Sequence, residues 1–337
     1  RWLRGRRVGD MGQGLAGRGQ LPELQTVPTP TNAAAGIVRD DWVPKPAVQQ
    51  VWAQTCSSRA RLAAALSSST VTAVAAQIVT GTLAVGGAWP EQSAVLEPIM
   101  GQPPSCTSDL TFNEFLNGVI TAEAQLHLKL DFKEPTVLEP CLRRLRALRP
   151  LLAERGQAVW LSADVLPGPG ARGPPTVGAD AFLRAAARYC PRAPLCLGWA
   201  VKPSAREAYT DLDCLAMATA VSSYTSMCDS CAKKPTSPDV VFAASARLAA
   251  LNPAPLASLL RSVEGSRLLL WSRPDEGRLP RATARRLQAA YREAGLLDRI
   301  GFDCQVATPR WCAWRPDVRV CCFPCTGCFT WFRTLWR

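Results

Sequence analysis

Leu126-His-Leu-Lys-Leu-Asp-Phe132 and Ala158-Val-Trp-Leu-Ser-Ala-Asp-Val165 are two short runs of β-type residues. Between them, Leu138–Glu154 places Leu138, Leu142, Leu145 and Leu152 on one helical face, opposite Arg143, Arg144, Arg146 and Arg149. Apolar residues at a 3.6-residue period mark an amphipathic helix, and short runs that are apolar on both parities mark strands covered on both faces. A strand, a crossover helix and a second strand of this kind make a βαβ unit, which requires parallel strands. The basic face of the helix is most simply a solvated one, and a binding patch otherwise.

The alternation continues in both directions. Upstream lie the apolar segment Val51–Trp52, a helical stretch Ser58–Leu66, a run at Val71–Thr80, and a helix at Thr111–Ala124 that gathers Phe112, Phe115, Leu116 and Ile120. Downstream, the runs Leu195–Val201, Val240–Ala246, Leu268–Ser272 and Arg299–Cys304 alternate with helical patterns at Ala179–Tyr189, Asp211–Ser226, Pro255–Val263 and Arg281–Ala294. Eight strand–helix units in about 255 residues predict an α/β fold, a (β/α)8 TIM-type barrel over residues 48–307, rather than an open sheet. In such a barrel the chemistry sits at the C-terminal ends of the strands.

Both ends of the chain depart from this pattern. Residues 1–47 are rich in Gly, Arg and Pro, and read as a disordered or non-native leader. Residues 308–337 hold Trp311, Trp314, Trp331 and Trp336 among five cysteines without period, and read as an irregular tail of non-native sequence. The net charge of +12 belongs largely to these ends: residues 1–20 and residues 308–337 each carry five arginines against one aspartate. The remaining basic groups are not gathered as nucleic-acid binding requires, so no nucleic-acid partner is expected.

No ordered n-region, apolar core and cleavage site opens the chain. Met11-Gly12 is followed by Ala16 where N-myristoylation wants Ser or Thr. No charge falls between Arg61 and Glu91, but eight Ser, Thr and Gln residues in that stretch favour a helix–turn–strand over a membrane span. Two CxxC pairs, Cys228–Cys231 and Cys325–Cys328, are almost 100 residues apart in unlike surroundings and make a poor zinc site.

The blocks Pro98-Ile-Met-Gly-Gln-Pro-Pro104, Ser108-Asp109 with Thr111-Phe-Asn-Glu-Phe-Leu116, Lys129-Leu-Asp-Phe-Lys133, Val159-Trp-Leu-Ser-Ala-Asp164 with Leu166-Pro-Gly-Pro-Gly170, and Leu197-Gly-Trp199 resemble those of the menorin family. They follow the family's order and spacing across residues 50–306. That family is similar to phospholipase-C-like phosphodiesterase barrels. The resemblance therefore implies carboxylates holding a divalent metal at the strand ends, two histidines as acid and base, an extracellular or membrane-associated setting, and a protein partner at a cell surface.

The residues depart from this implied site. Gln54 and Gln102 stand where the resemblance puts the histidines, and Ala75 and Gln77 where it puts a carboxylate pair. Glutamine cannot move protons at neutral pH, Ala75 has no ligating atom, and Gln77 offers only a neutral carbonyl. The sole histidine, His127, starts its strand and reads as a core or rim residue. Asp131 matches the third metal carboxylate and Lys133 the phosphate-facing lysine. The pair, two apart on one strand face, forms either a mutual ion pair or a residual anion pocket. Asp164 sits at another strand end. Trp199 and Trp271 line the mouth or pack in the core. One carboxylate is too few for Mg²⁺. The expectation is a non-catalytic binding or interaction protein without a cofactor. The alternative is a Mg²⁺-dependent phospholipase-like phosphodiesterase.

Overall fold

The computed structural model describes residues 50–84, 95–171, 173–229, 239–273 and 276–304. The expected leader, the tail, the Met11-Gly12 motif and three of the four CxxC cysteines lie outside them. The chain runs β1 (Trp52–Ala53), α1 (Arg59–Leu66), β2 (Ala73–Leu83), β3 (Glu97–Met100), β4 (Thr107–Ser108), α2 (Phe112–Thr121), β5 (His127–Phe132), α3 (Leu138–Glu154) and β6 (Val159–Pro167). It continues through α4 (Ala179–Tyr189), β7 (Leu195–Ala200), α5 (Asp211–Asp229), β8 (Val240–Ser245), α6 (Ala246–Ala249), α7 (Ala254–Ser262), β9 (Arg267–Trp271), α8 (Arg281–Glu293) and β10 (Ile300–Asp303).

The strands form one sheet in the order β1-β2-β5-β6-β7-β8-β9-β10, and every neighbouring pair along that path is parallel. The sheet curls into a half-barrel with eight α-helices among the described residues. The closed eight-strand barrel expected from sequence is met to that extent: among the described residues no strand ladder joins β1 to β10. β1 is two residues long and spends its ladder on β2, at Trp52↔Ala73 and Ala53↔Val74. One side-chain hydrogen bond spans the two ends of the sheet, from Gln54 Nε2 to Asp303 Oδ2 at 2.5 Å.

Alternation along the strands separates two cores. Val74, Ala76 and Ile78 of β2, Leu128, Leu130 and Phe132 of β5, and Leu195 and Leu197 of β7 face the helices in a large outer cluster. The other parity supplies an inner cluster of Trp52, Ala73, Ala75, Ala158, Trp160, Cys196, Val241 and Leu269. This division is why the strands read as apolar on both parities. Inside, two indoles meet edge to face at 5.6 Å over a floor of alanines, with large residues set against small ones to fill the space.

Sequence placed the helices within a few residues of their ends, except the four-residue α6, whose first residue was read as part of the β8 run. Thr111 and Glu114 start α2 with a reciprocal capping box, in which Thr111 Oγ1 accepts from Glu114 N–H at 3.2 Å and Glu114 Oε2 accepts from Thr111 N–H at 3.0 Å. Such a cap stabilises a helix by about 1 kcal/mol. On α3, Arg143 is exposed and paired with Glu139, but Arg149 is buried and does not belong to a solvated face. Strands β3 and β4 were not expected. β3 opens beside Pro98 and β4 is two residues long, so neither carries a readable period. No helix among the described residues is long and apolar enough to cross a membrane, and most of β2, within the charge-free stretch, is buried strand.

Candidate binding site at the strand ends

β5 alternates strictly, with Leu128, Leu130 and Phe132 buried under the helices and Lys129 and Asp131 on the concave face. Lys133 continues that face one residue beyond the strand, held by its N–H to the Ile78 carbonyl at 3.1 Å. Its ammonium sits 2.7 Å from Asp131 Oδ2 and 3.1 Å from Asp164 Oδ2. The structure thus joins three expected residues in one carboxylate–ammonium–carboxylate chain. Burial opposes the Lys133 charge, but the two carboxylates and their hydrogen bonds outweigh it and hold its pKa above the usual lysine value. Burial pushes the Asp131 carboxyl up, as does Asp164, and Lys133 and Lys129 only partly offset this.

Asp164 is positioned by its neighbour across the sheet. Asp164 and Gly198 are register partners on β6 and β7, and a Cβ at Gly198 would lie 2.4 Å from Asp164 Oδ1. The carboxylate occupies the room that a side chain on β7 would take. Gly198→Ala is expected to push Asp164 off Lys133 and cost about 1–2 kcal/mol. In an Asp164→Ala background most of that cost should vanish in urea denaturation, and an equal cost in both backgrounds would contradict this geometry.

The other expected positions fall as follows. Gln54 donates to Asp303, a carboxylate not singled out from sequence although it ends β10 on the inner parity. Ala75 is buried in the inner cluster beside Trp52 and Trp160. Gln77 is the register partner of Asp131, and its Oε1 is buried without a hydrogen bond among the described residues. Gln102 lies exposed after β3, and its side chain joins none of the hydrogen bonds of this cluster. His127 starts β5, accepts from the Ala158 N–H through Nδ1 at 3.2 Å, and meets Trp160 edge-on. Trp199 takes the core alternative: it is 1% exposed, packs on Tyr209 at 5.1 Å, and its Nε1 donates to the Asp213 carbonyl. Trp271 is half-buried at the end of β9, in register with Ser245 and Asp303.

Lys129 joins this face as a residue that the sequence reading did not identify. Its ammonium lies 5.7 Å from the Trp52 ring centre. Burial works against its charge, but Cys196, Asp303 and Asp131 outweigh it and raise its pKa. Strand parity was the signal for both Lys129 and Asp303, since each shares the inner face with a residue already chosen.

A divalent metal wants several anionic oxygens. Here one ammonium already takes an oxygen of both Asp131 and Asp164, Ala75 has no donor, and Gln77 is neutral. No group of three or more His, Cys, Asp or Glu able to hold a metal occurs among the described residues.

Residues 47–295, most of the chain, match the family model of the Menorin N-terminal domain. The chain is similar to Protein FAM151B of Homo sapiens, 35% identical over 103 residues, a stretch covering 31% of this chain and 35% of that protein. The chain therefore covers well under two thirds of this relative's length. No solved structure matches it.

Proposed function

The chain belongs to the menorin family, and from that premise we propose that it is a binding protein built on a closed (β/α)8 barrel, without phosphodiesterase catalysis. The Gln54–Asp303 hydrogen bond supports closure, because it ties the first strand to the last where a seam would lie.

The observation that carries the functional reading is the place of the Lys133 ammonium. It bridges Asp131 and Asp164, so the fold itself supplies the positive charge that those carboxylates would otherwise take from a metal. Lys129, the register partner of Ala75, stands ready to do the same for any carboxylate restored there. Acid–base catalysis near neutral pH needs a group that exchanges protons. Gln54 and Gln102 have none, and His127 is engaged at the opposite end of β5. The mouth keeps charged and amide groups suited to holding a ligand.

The test is turnover. With Mg²⁺ and bis(4-nitrophenyl) phosphate, the purified chain is expected to release no nitrophenolate above a protein-free control. Mg²⁺-dependent release that is lost in Asp131→Ala would sink the reading.

A further inference from the structure

One arc of the mouth takes no part in the Lys133 bridge. Ser245, Trp271 and Asp303 are successive register partners across β8, β9 and β10, and Asp303 holds Gln54 from β1. Two features of this arc point outward to a ligand. Ser245 is 1% exposed and its Oγ has no hydrogen-bond partner among the described residues. It shares the concave parity of Val241 and Ala243, so it belongs to the barrel face and not to the helix layer. Trp271 is half-buried on the same face, and its indole makes no ring contact or hydrogen bond among the described residues. Across the mouth, Gln77 Oε1 is a second buried polar atom without a partner among the described residues.

We propose that this arc binds a neutral, polyhydroxylated ligand of the saccharide class, resting on the reading of the barrel as a binding protein. Three chemical arguments select it. First, the unpartnered atoms are an amide oxygen, which only accepts, and a serine hydroxyl, which donates and accepts. A ligand hydroxyl serves both, whereas an ionised carboxylate or a phosphodiester has no O–H to donate to Gln77. Second, the facing charges nearly cancel: Asp131, Asp164 and Asp303 oppose Lys129 and Lys133, which leaves no net attraction for an anion. Third, a free indole beside a carboxylate and amides offers an apolar platform with a polar rim, which suits a sugar ring with one C–H face and an equatorial belt of hydroxyls.

The experiment titrates the full chain with methyl glycosides of glucose, galactose, mannose and N-acetylglucosamine, and separately with inorganic phosphate, by saturation-transfer NMR. Saturable binding of at least one glycoside is expected, weakened about tenfold or more by Trp271→Ala and about three- to tenfold by Ser245→Ala, the loss of one or two hydrogen bonds. Ser245→Ala also separates binding from folding. It removes an unsatisfied buried hydroxyl and should leave the melting temperature equal or higher. No saturable glycoside binding, binding of phosphate alone, or glycoside binding indifferent to both substitutions would overturn the proposal. None of these would touch the absence of catalysis, which the turnover assay tests by itself.

Discussion

Replacing Trp160 with alanine is expected to lower the stability of the chain by about 3–5 kcal/mol, the largest loss of any single change argued from this structure. Trp160 is fully buried and is one of only two large side chains in an inner cluster otherwise dominated by alanines and other small or aliphatic residues. Truncation leaves a cavity that Ala73, Ala75 and Ala158 cannot collapse to fill, and it forfeits the edge-to-face contact with Trp52 at 5.6 Å. Its indole Nε1 has no hydrogen-bond partner among the described residues, so part of the truncation cost is offset by relief of a buried unsatisfied donor. The check is the urea midpoint followed by far-ultraviolet circular dichroism. A loss below about 1 kcal/mol would mean that the inner cluster is not the packed centre of the fold.

The second large effect belongs to Lys133→Met. Breaking a buried ion pair by removing one partner costs about 3–5 kcal/mol. The Lys133 and Asp131 side chains are about one-fifth exposed and Asp164 is 42% exposed, so water softens the loss to about 2–3 kcal/mol at neutral pH. The penalty should depend on pH. Asp131 already has a folded-state pKa above its ordinary value, from burial first and Asp164 second. A carboxyl of that kind contributes stability that is fully present below its unfolded pKa and is lost as pH rises through its folded pKa. Without Lys133 the folded pKa rises further, so the variant should lose least near pH 4 and most near pH 7. Lys133 has a raised pKa in the folded state, so it stays protonated across that window and the pH dependence comes from Asp131. Equal penalties at both pH values would show that Asp131 does not depend on this ammonium.

The sequence carried the architecture well because the strands are buried on both faces and the helices on one. Both patterns survive without knowledge of the partners, as the match of β5, β6, β7 and β8 to the expected runs shows. What it could not carry is whatever depends on curvature. Gln54 and Asp303 are 249 residues apart, and only the curl of the sheet brings them within hydrogen-bonding distance. Asp131 and Lys133 were legible at the end of β5, whereas Asp164, expected at a strand end, lies on the inner parity of β6 three residues before its last residue. Strand position alone allows either a mutual pair or an anion pocket, and in the fold the ammonium is shared between two carboxylates. Trp199 shows the limit of reading strand ends by position. It is near the end of β7, but its parity sends it outward beneath α5, to Tyr209 and the Asp213 carbonyl. The fit of Gly198 against Asp164 was equally hidden, since a glycine inside an apolar run does not announce what lies over it.

On the proposed reading, the Lys133 ammonium supplies the charge that a metal would otherwise bring to Asp131 and Asp164. This is tested most directly by titrating Mg²⁺ into the purified chain by calorimetry, with Asp131→Ala as the control. No saturable heat is expected into the millimolar range for either protein. Saturable binding by the natural chain that disappears in Asp131→Ala would contradict the reading, and would mean that Mg²⁺ displaces Lys133 from carboxylates still able to hold a cation.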